Sequence, residues 1–241
     1  MPNKNYPKEI LTIIRSNPAP AELKERLSDY HENDLADALT ALTPEERQKL
    51  YPVLGIEYVA EIFSYFDDAE PYLKELPSKE AAKVISNMDS DDAVDALDDL
   101  AEEDKRKIVS HLDEDSAEDV RMLLSYDEDE IGSSMTTNYI CIRKGMTIRQ
   151  AMKELVRQAG ENDNIMTIYV VDEKGVFAGA IDLKDLIRAR ENTHLKDLVL
   201  KSYPYVTDHE KIDDCMDRIL DYAEDSIPVL SEDKKILGVI T

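Results

Sequence analysis

Several residue types are scarce in this chain, and each scarcity excludes a class of protein. There is no tryptophan, and Cys141 and Cys215 are the only cysteines in 241 residues. Two isolated cysteines give no CxxC motif and no disulfide framework, which indicates a reducing compartment. No apolar run approaches the ~20 residues of a membrane span, and the amino terminus lacks the apolar core of a signal peptide. The sequence therefore predicts neither a membrane span within these residues nor a secreted disulfide-rich domain.

Glycine and histidine are also too few to build the usual catalytic motifs. The seven glycines form no GxGxxG or GxxxxGK[ST] pattern, so neither a dinucleotide loop nor a P-loop is predicted. The four histidines are scattered without an HExxH pair, and no nucleophile lies beside a base. Catalysis needs such convergent groups, so we expect a protein that is not an enzyme.

Positive charge is the remaining deficit. The chain has 29 lysines and arginines against 53 aspartates and glutamates, a formal net charge of −24. Such a surface repels phosphate groups, so we expect no nucleic-acid partner and no anionic membrane bound through it. It attracts divalent cations, although an acidic surface is also an ordinary way to keep a protein in solution.

A twelve-residue repeat organises the first half of the chain. A large apolar residue returns every twelve positions, with a single ten-residue step between Phe66 and Leu76. Each unit continues into apolar residues at helical spacing, which indicates one short helix per unit. The recurring residues are Tyr30, Leu42, Leu54, Phe66, Leu76, Met88, Leu100, Leu112 and Leu124.

Polar clusters mark where these helices begin. Thr43 to Glu46 has the form of a capping box with proline at the first helical position, and aspartate suits the N-cap role at Asp89 and Asp113. Helices this short are not stable alone in water, so they must stack on their neighbours. Residues 1–130 therefore predict an acidic, all-α superhelical repeat domain.

The second half contains a duplication. Residues 168–182 match residues 227–241 without a gap, and Gly179 falls on Gly238. Each copy reads as a β-branched strand, an acidic turn and a second strand entered through glycine, which is typical of a hairpin. An amphipathic helix precedes each hairpin, over residues 148–156 and 212–222. We expect two related βα modules, over residues 131–194 and 195–241.

This half resembles a tandem pair of cystathionine-β-synthase (CBS) domains. The resemblance rests on Met135-Thr136, residues 145–148, the hairpin at residues 168–181, and Asp185. It implies two modules packed as a disc, clefts that often hold adenine nucleotides, and pairing of discs into a homodimer. Asp185 lies where such clefts commonly hold the ribose, so ATP or another adenine nucleotide is a candidate ligand there, although Asp182 replaces the usual hydroxyl residue.

The second module matches only part of the first. Thr241 falls on the hydroxyl position, and the counterpart of residues 183–190 would follow it. We therefore expect the second CBS domain to be incomplete at its carboxyl end and the natural chain to continue.

Carboxylates are the candidate ligands of the repeat domain. Asp91 and Asp95 lie at i and i+4, on one face of a helix, where like charges oppose each other by a few tenths of a kcal/mol. A hard cation relieves that repulsion, and Mg²⁺ takes one or two carboxylates and keeps several waters. Ca²⁺ is less favoured because no complete EF-hand loop is present. A solvated acidic helix face is the alternative interpretation.

The order of the two halves resembles the cytosolic part of the MgtE family of magnesium transporters and channels. The segments that carry this resemblance are residues 59–62, 91–97 and the junction at 126–136. It implies a helical domain and a CBS pair that clamp together around several Mg²⁺ ions and thereby set whether a membrane pore opens.

The resemblance also implies a ligand set. Glu61, Asp91 and Asp95 match ligands of the helical domain, and Asp213 matches a carboxylate at the start of the second CBS helix. Lys211 and Ala223 stand where the family usually has aspartates, so fewer ions are expected, or Glu210, Asp214 and Glu224 substitute.

We therefore expect a Mg²⁺-sensing regulatory region at the cytoplasmic face of the cell membrane, attached beyond Thr241 to a transmembrane pore domain that closes at high Mg²⁺. Two other functions fit parts of the sequence. One is an adenine-nucleotide-sensing CBS module that regulates an enzyme. The other is a protein-interaction scaffold, because the helical repeat also resembles parts of the bacterial flagellar motor switch.

Overall fold

The structure is a computed structural model that describes residues 5–190 and 192–241. The chain divides into two compact units, Met1–Glu118 and Asp119–Thr241, and the division falls within the last helix of the repeat. No helix among the described residues combines the length and the apolar character needed to cross a bilayer. The predicted boundaries after residues 130 and 194 stay predictions.

Short helices follow one another along the first unit. From α2 onward the helix starts keep the twelve-residue spacing, which is interrupted around α6, where the repeat shortens. The bounds are α1 Tyr6–Arg15, α2 Pro20–Leu27, α3 Glu32–Thr40, α4 Pro44–Leu54, α5 Ile56–Phe63, α6 Glu70–Leu73, α7 Ser78–Ile85, α8 Ser90–Asp98, α9 Glu102–Val109 and α10 Glu114–Leu123.

In six units the recurring apolar residue lies directly before the N-cap of a helix, as it does at Tyr30, Leu42, Leu54, Leu76, Met88 and Leu100. Leu42 precedes the N-cap Thr43, whose hydroxyl accepts a hydrogen bond from the Glu46 amide at 3.3 Å, while the Glu46 carboxylate accepts one from the Thr43 amide at 2.9 Å. Asp89 is the N-cap of α8, and Asp113 accepts from an amide in the first turn of α10. The predicted capping box and both aspartate positions are confirmed.

Alternate helices stack on one another, so the chain turns back after each helix. α1 packs on α3, α3 on α5, α5 on α7, and α7 on α9. The helices bury their apolar sides in this stack, because no helix of four to eleven residues can form a core alone. The fully buried side chains include Leu35, Leu39, Leu54, Ile62, Phe63, Ile85 and Leu97.

The second unit contains two three-stranded sheets of the same topology. In each sheet the first strand is parallel to the second, and the second pairs with the third in an antiparallel hairpin. The first module has β1 Ile140–Arg143, α11 Ile148–Gln158, β2 Thr167–Val171, β3 Phe177–Asp182 and α12 Leu183–Arg188; the second has β4 Val206–Thr207, α13 Ile212–Tyr222, β5 Ile227–Leu230 and β6 Ile236–Ile240.

The duplication extends to the irregularities of the sheets. A register shift lies between Val170 and Val171 of β2, and another at the matching position of β5, between Val229 and Leu230. The helix predicted over residues 148–156 continues two residues further, to Gln158. The prediction of an all-α repeat followed by two related α/β modules is confirmed.

A short segment of each module pairs with the sheet of the other module. Thr136 bridges to Val239 of β6, and Leu200 bridges to Ala180 of β3. These segments run so close to the strands that a Cβ on Gly179 would lie 2.4 Å from the Leu200 carbonyl oxygen. The two modules therefore share a core cluster, which contains Tyr169, Ala180, Tyr203 and Val239, beside the separate core of the first module.

Candidate metal centre

The acidic side of α8 is produced by the way this helix is buried. Ala93, Val94, Ala96 and Leu97 face the core of the first unit, so the aspartates between them face outward. Asp91 and Asp95 lie one turn apart on that outer side, as the spacing predicts. Asp95 is exposed and Asp91 is half-buried.

Asp91 has an unmet hydrogen-bonding requirement. Its Oδ1 atom is buried and has no hydrogen-bond partner among the described residues. A buried acceptor that has lost its water without gaining a donor costs roughly 1–3 kcal/mol, and more when it is charged. A cation next to this oxygen would remove that cost.

The pKa of Asp95 responds to its burial and to the neighbouring carboxylates. Partial burial raises the pKa of Asp95, and the charges of Asp91, Asp98 and Asp99 raise it further. The surrounding negative charges thus oppose ionisation of Asp95, which is the electrostatic condition that favours binding of a positive ion.

A second group of carboxylates surrounds a small cavity beside the same helix. The cavity has a volume of about 120 Å³. Burial raises the pKa of Asp92, a hydrogen bond from the Ser64 hydroxyl lowers it, and the charges of Asp91 and Asp95 raise it. The residues around the cavity are Phe63, Ser64, Phe66, Asp67, Ala69, Met88, Asp92, Asp95, Ala96 and Asp99.

Sequence reasoning did not identify Asp67 or Asp92. The spacing of Asp92, Asp95 and Asp99 along one side of a helix is a signal that could have found three of the four cavity carboxylates. Asp67 lies in the loop after α5, and no spacing rule connects that loop to α8.

The other predicted ligands belong to other elements of the chain. Glu61 is exposed on α5, one turn before Ser64. Asp213 is exposed in the first turn of α13, in the other compact unit. Among residues 5–190 and 192–241, no three Asp, Glu, His or Cys side chains form a group that could hold a metal ion by themselves. Any ion held by Asp91 and Asp95 therefore needs water or further ligands to complete its shell.

The candidate nucleotide residue lies on a different element. Asp185 is exposed on α12, and Asp182 is the N-cap of that helix, accepting a hydrogen bond from the Lys184 amide at 2.7 Å. The residue that replaces the usual hydroxyl thus has a structural role, because it satisfies an amide of the first helical turn.

Comparisons with known proteins agree with this architecture. The description of the MgtE intracellular N domain matches residues 30–129, and that of the CBS domain matches residues 129–192 and 195–241. The magnesium transporter MgtE of Enterococcus faecalis is 34% identical over 224 residues, which are 91% of this chain and 49% of that protein. The chain thus spans about half the length of this curated relative.

Two solved structures are similar over most of their length. A crystal structure of the soluble part of a magnesium transporter has a TM-score of 0.92 and 28% identity, covering 98% of this chain and 94% of that one. The cytosolic domain of the Mg²⁺ channel MgtE in complex with ATP has a TM-score of 0.81 and 31% identity, covering 91% and 90%. The chain belongs to the MgtE family, as a helical N domain followed by a CBS pair.

Proposed function

We propose that this chain is the Mg²⁺-sensing regulatory region of a magnesium transporter or channel, and that it has no enzymatic activity of its own. The observation that carries the proposal is the buried, unpartnered Oδ1 of Asp91, one helical turn from Asp95. Membership of the MgtE family supplies the context, because its curated relatives are magnesium transporters.

The donor chemistry of this face fits Mg²⁺. Carboxylate oxygens and water are the ligands that Mg²⁺ prefers, and the ion usually takes one or two carboxylates from a protein surface. The ligands in this proposal are Glu61, Asp91 and Asp95 of the repeat domain and Asp213 of the CBS pair. A bound ion supplies positive charge, which neutralises carboxylates that otherwise repel one another.

The proposed switch follows from the charge of the two units. Carboxylates brought within ~6 Å of each other repel by roughly 3 kcal/mol per pair at an effective dielectric constant near 20. At low Mg²⁺ this repulsion keeps ligands of different units apart, whereas ligation from both units favours a closed arrangement. A switch requires a ligand that binds one arrangement more tightly than the other, and ions ligated by both units would bind the closed arrangement more tightly. Closure at high Mg²⁺ gives negative feedback on uptake.

The pore is proposed to lie outside this chain. The Enterococcus relative is a magnesium transporter of about twice the matched length, so we place a covalently attached transmembrane domain in the whole protein. The region described above then lies at the cytoplasmic face of the membrane.

A homodimer through the CBS pair is part of the proposal. Val156 of α11 is 69% exposed and Leu220 of α13 is 66% exposed, and Met216 adds a third apolar side chain at 39%. Leu155, which precedes Val156 on α11, is buried in the core of its own module and is not part of this surface. Exposed apolar side chains on both modules favour burial against a second copy.

A second candidate function is adenine-nucleotide binding by the first CBS module. A related cytosolic domain was crystallised with ATP, and Asp185 is accessible on α12. One oxygen of the Asp182 carboxylate accepts the bond from the helix amide, so Asp185 is the member of this pair without that structural role. Calorimetry with ATP in the absence of Mg²⁺ tests this function, and Asp185→Asn should weaken any binding.

Small-angle scattering across a Mg²⁺ titration tests the main proposal. The radius of gyration of the chain should fall with rising Mg²⁺. In the Asp91→Asn/Asp95→Asn variant the response to Mg²⁺ should weaken and the response to monovalent salt should grow, because salt screens exposed charges over ~10 Å at 0.1 M. The Asp34→Asn/Asp37→Asn variant, which removes the same charge from α3, should respond as the unmodified chain does. A constant radius up to tens of millimolar Mg²⁺ would favour the scaffold function instead.

A further inference from the structure

The junction segment, defined as residues 126–136, is paired with the start of the second module's helix. An antiparallel bridge joins Glu130 to Lys211. Three backbone hydrogen bonds flank it, with N···O distances of 2.8 Å from Ile131 to Glu210, 2.9 Å from Gly132 to Asp208 and 2.9 Å from Ile212 to Asp129.

An aromatic contact closes one end of this pairing. The Tyr126 ring lies so close to Gly132 that a Cβ there would be 2.8 Å from ring carbons. The Tyr126 hydroxyl also donates to the Asp208 carboxylate at 3.2 Å. The junction segment is thus held at a defined register on the second module.

The charges on the two paired segments oppose this arrangement. Residues 127–130 are all acidic, and the facing segment carries Asp208, Glu210, Asp213 and Asp214. Two cations and one histidine lie among them. The Lys211 ammonium is 2.7 Å from Asp129 Oδ1 and 3.9 Å from Glu130 Oε1, His209 Nδ1 is 3.1 Å from Glu130 Oε1, and Arg218 bonds Glu210.

We infer that Lys211 is a built-in cation that keeps the junction segment paired with α13 in the absence of metal, and thereby positions the adjacent Asp213. Lys211 is suited to this role because it is the N-cap residue of α13, two positions before Asp213. Its ammonium contacts two carboxylates of the junction segment, so it neutralises charge on the segment with which it also pairs.

The electrostatics of the pair agree with this role. The hydrogen bond to Asp129 raises the pKa of Lys211, and the same bond lowers the pKa of Asp129. An isolated exposed ion pair contributes little to stability, but a cation among several carboxylates removes more than one repulsion. The role of positioning Asp213 rests on the Mg²⁺-sensing function proposed above, whereas the metal-free pairing does not.

Amide hydrogen exchange in EDTA at low salt tests the pairing directly. In Lys211→Met, the amides of Ile131, Gly132 and Ile212 should exchange about fivefold faster than in the unmodified chain. Lys211→Arg should restore slow exchange, and added monovalent salt or Mg²⁺ should slow exchange in Lys211→Met. The matched control Lys196→Met, which removes an exposed lysine elsewhere in the same unit, should leave these amides unchanged.

The result that would overturn the inference is unchanged exchange at these amides in Lys211→Met. If the Lys211 side chain acted by packing and not by its charge, the result would differ. Lys211→Arg would then not restore slow amide exchange, and salt would not slow exchange in Lys211→Met. Asp129→Asn combined with Lys211→Met should exchange more slowly than Lys211→Met alone, since the combination also removes an unneutralised carboxylate.

The Mg²⁺ titration separates the two parts of the inference. Lys211→Met should shift the midpoint of the scattering transition to a severalfold higher Mg²⁺ concentration, although no proposed ligand is altered. An unshifted midpoint together with faster exchange would overturn the positioning of Asp213. If the unmodified chain gives no Mg²⁺ transition at all, the sensing function fails while the exchange result still decides the metal-free pairing.

Discussion

The guanidinium of Arg47 and the carboxylate of Glu75 form a two-bond ion pair inside the helical unit, with Nε 3.0 Å from Oε2. Both side chains are nearly buried, at 9% and 11% exposure. Arg47 also donates to the Leu39 carbonyl at 2.9 Å and lies 5.0 Å from the centre of the Tyr72 ring. Glu75 belongs to the ten-residue step, so the pair fixes the one place where the repeat is shortened.

Breaking this pair should destabilise the helical unit strongly. Glu75→Gln leaves the Arg47 charge buried without its partner, a change that typically costs about 3 kcal/mol. Thermal or urea unfolding followed by circular dichroism should show it. Glu103→Gln, which removes one carboxylate of a surface pair with Lys107, is the matched control and should leave unfolding unchanged. Equal effects of the two substitutions would contradict the structural role of Arg47.

Gly179 should tolerate no side chain. Its φ of +132° disfavours any other residue, and a Cβ would meet the Leu200 carbonyl oxygen at 2.4 Å. Gly179→Ala should therefore lower the free energy of unfolding by at least ~2 kcal/mol, measured by urea denaturation. Gly145→Ala serves as the control, since nothing lies within 4 Å of its Cβ position. A neutral Gly179→Ala would mean that the segment at Leu200 does not lie against β3.

The raised pKa of Asp92 predicts a pH dependence in metal-free protein. Burial opposes the charged form, so ionised Asp92 destabilises the fold above its folded pKa, and this effect is relieved as the pH falls toward the ordinary value of 3.8. Asp92→Asn keeps an acceptor for Ser64 and should raise the Tm at pH 7, in EDTA. The gain should shrink as the pH is lowered toward 4.

Replacing Asp113 should change the Tm in the opposite direction. The hydrogen bond that Asp113 accepts from the Ser116 amide lowers the pKa of Asp113. The ionised carboxylate therefore stabilises the fold above pH 3.8, and this stabilisation is lost as the pH falls through the folded pKa. Asp113→Asn should therefore lower the Tm at pH 7, and less at low pH. If Asp92→Asn and Asp113→Asn shift the Tm in the same direction and with the same pH dependence, the environments assigned to these two carboxylates are wrong.

Local rules account for what the sequence predicted well. The position of Thr43 and the spacing of the apolar residues were sufficient because a cap and a helix stripe involve residues within one or two turns. Asp91 and Asp95 share a helix face for the same reason. Which of their oxygens loses its water depends on how neighbouring helices pack, and no spacing rule contains that information.

Long-range partners account for what was missed. Arg47 and Glu75 lie on different helical segments, and the ten-residue step signalled the irregularity without naming the pair. The bridge from Thr136 to Val239 joins opposite ends of the second unit. The match of the two hairpins could predict two similar sheets, but it could not predict that each sheet receives a segment belonging to the other module.

The proposed homodimer should depend on the outer faces of α11 and α13. Leu220→Glu and Val156→Glu each place a charge where we expect apolar contact with a second copy, so each should raise the dimer dissociation constant at least tenfold, by ~1.4 kcal/mol or more. Ile187→Glu is the control, because Ile187 is 62% exposed but lies on α12. Sedimentation equilibrium at tens of micromolar measures all three. A monomeric unmodified chain would refute the dimer, and equal weakening by all three variants would place the interface on a different surface.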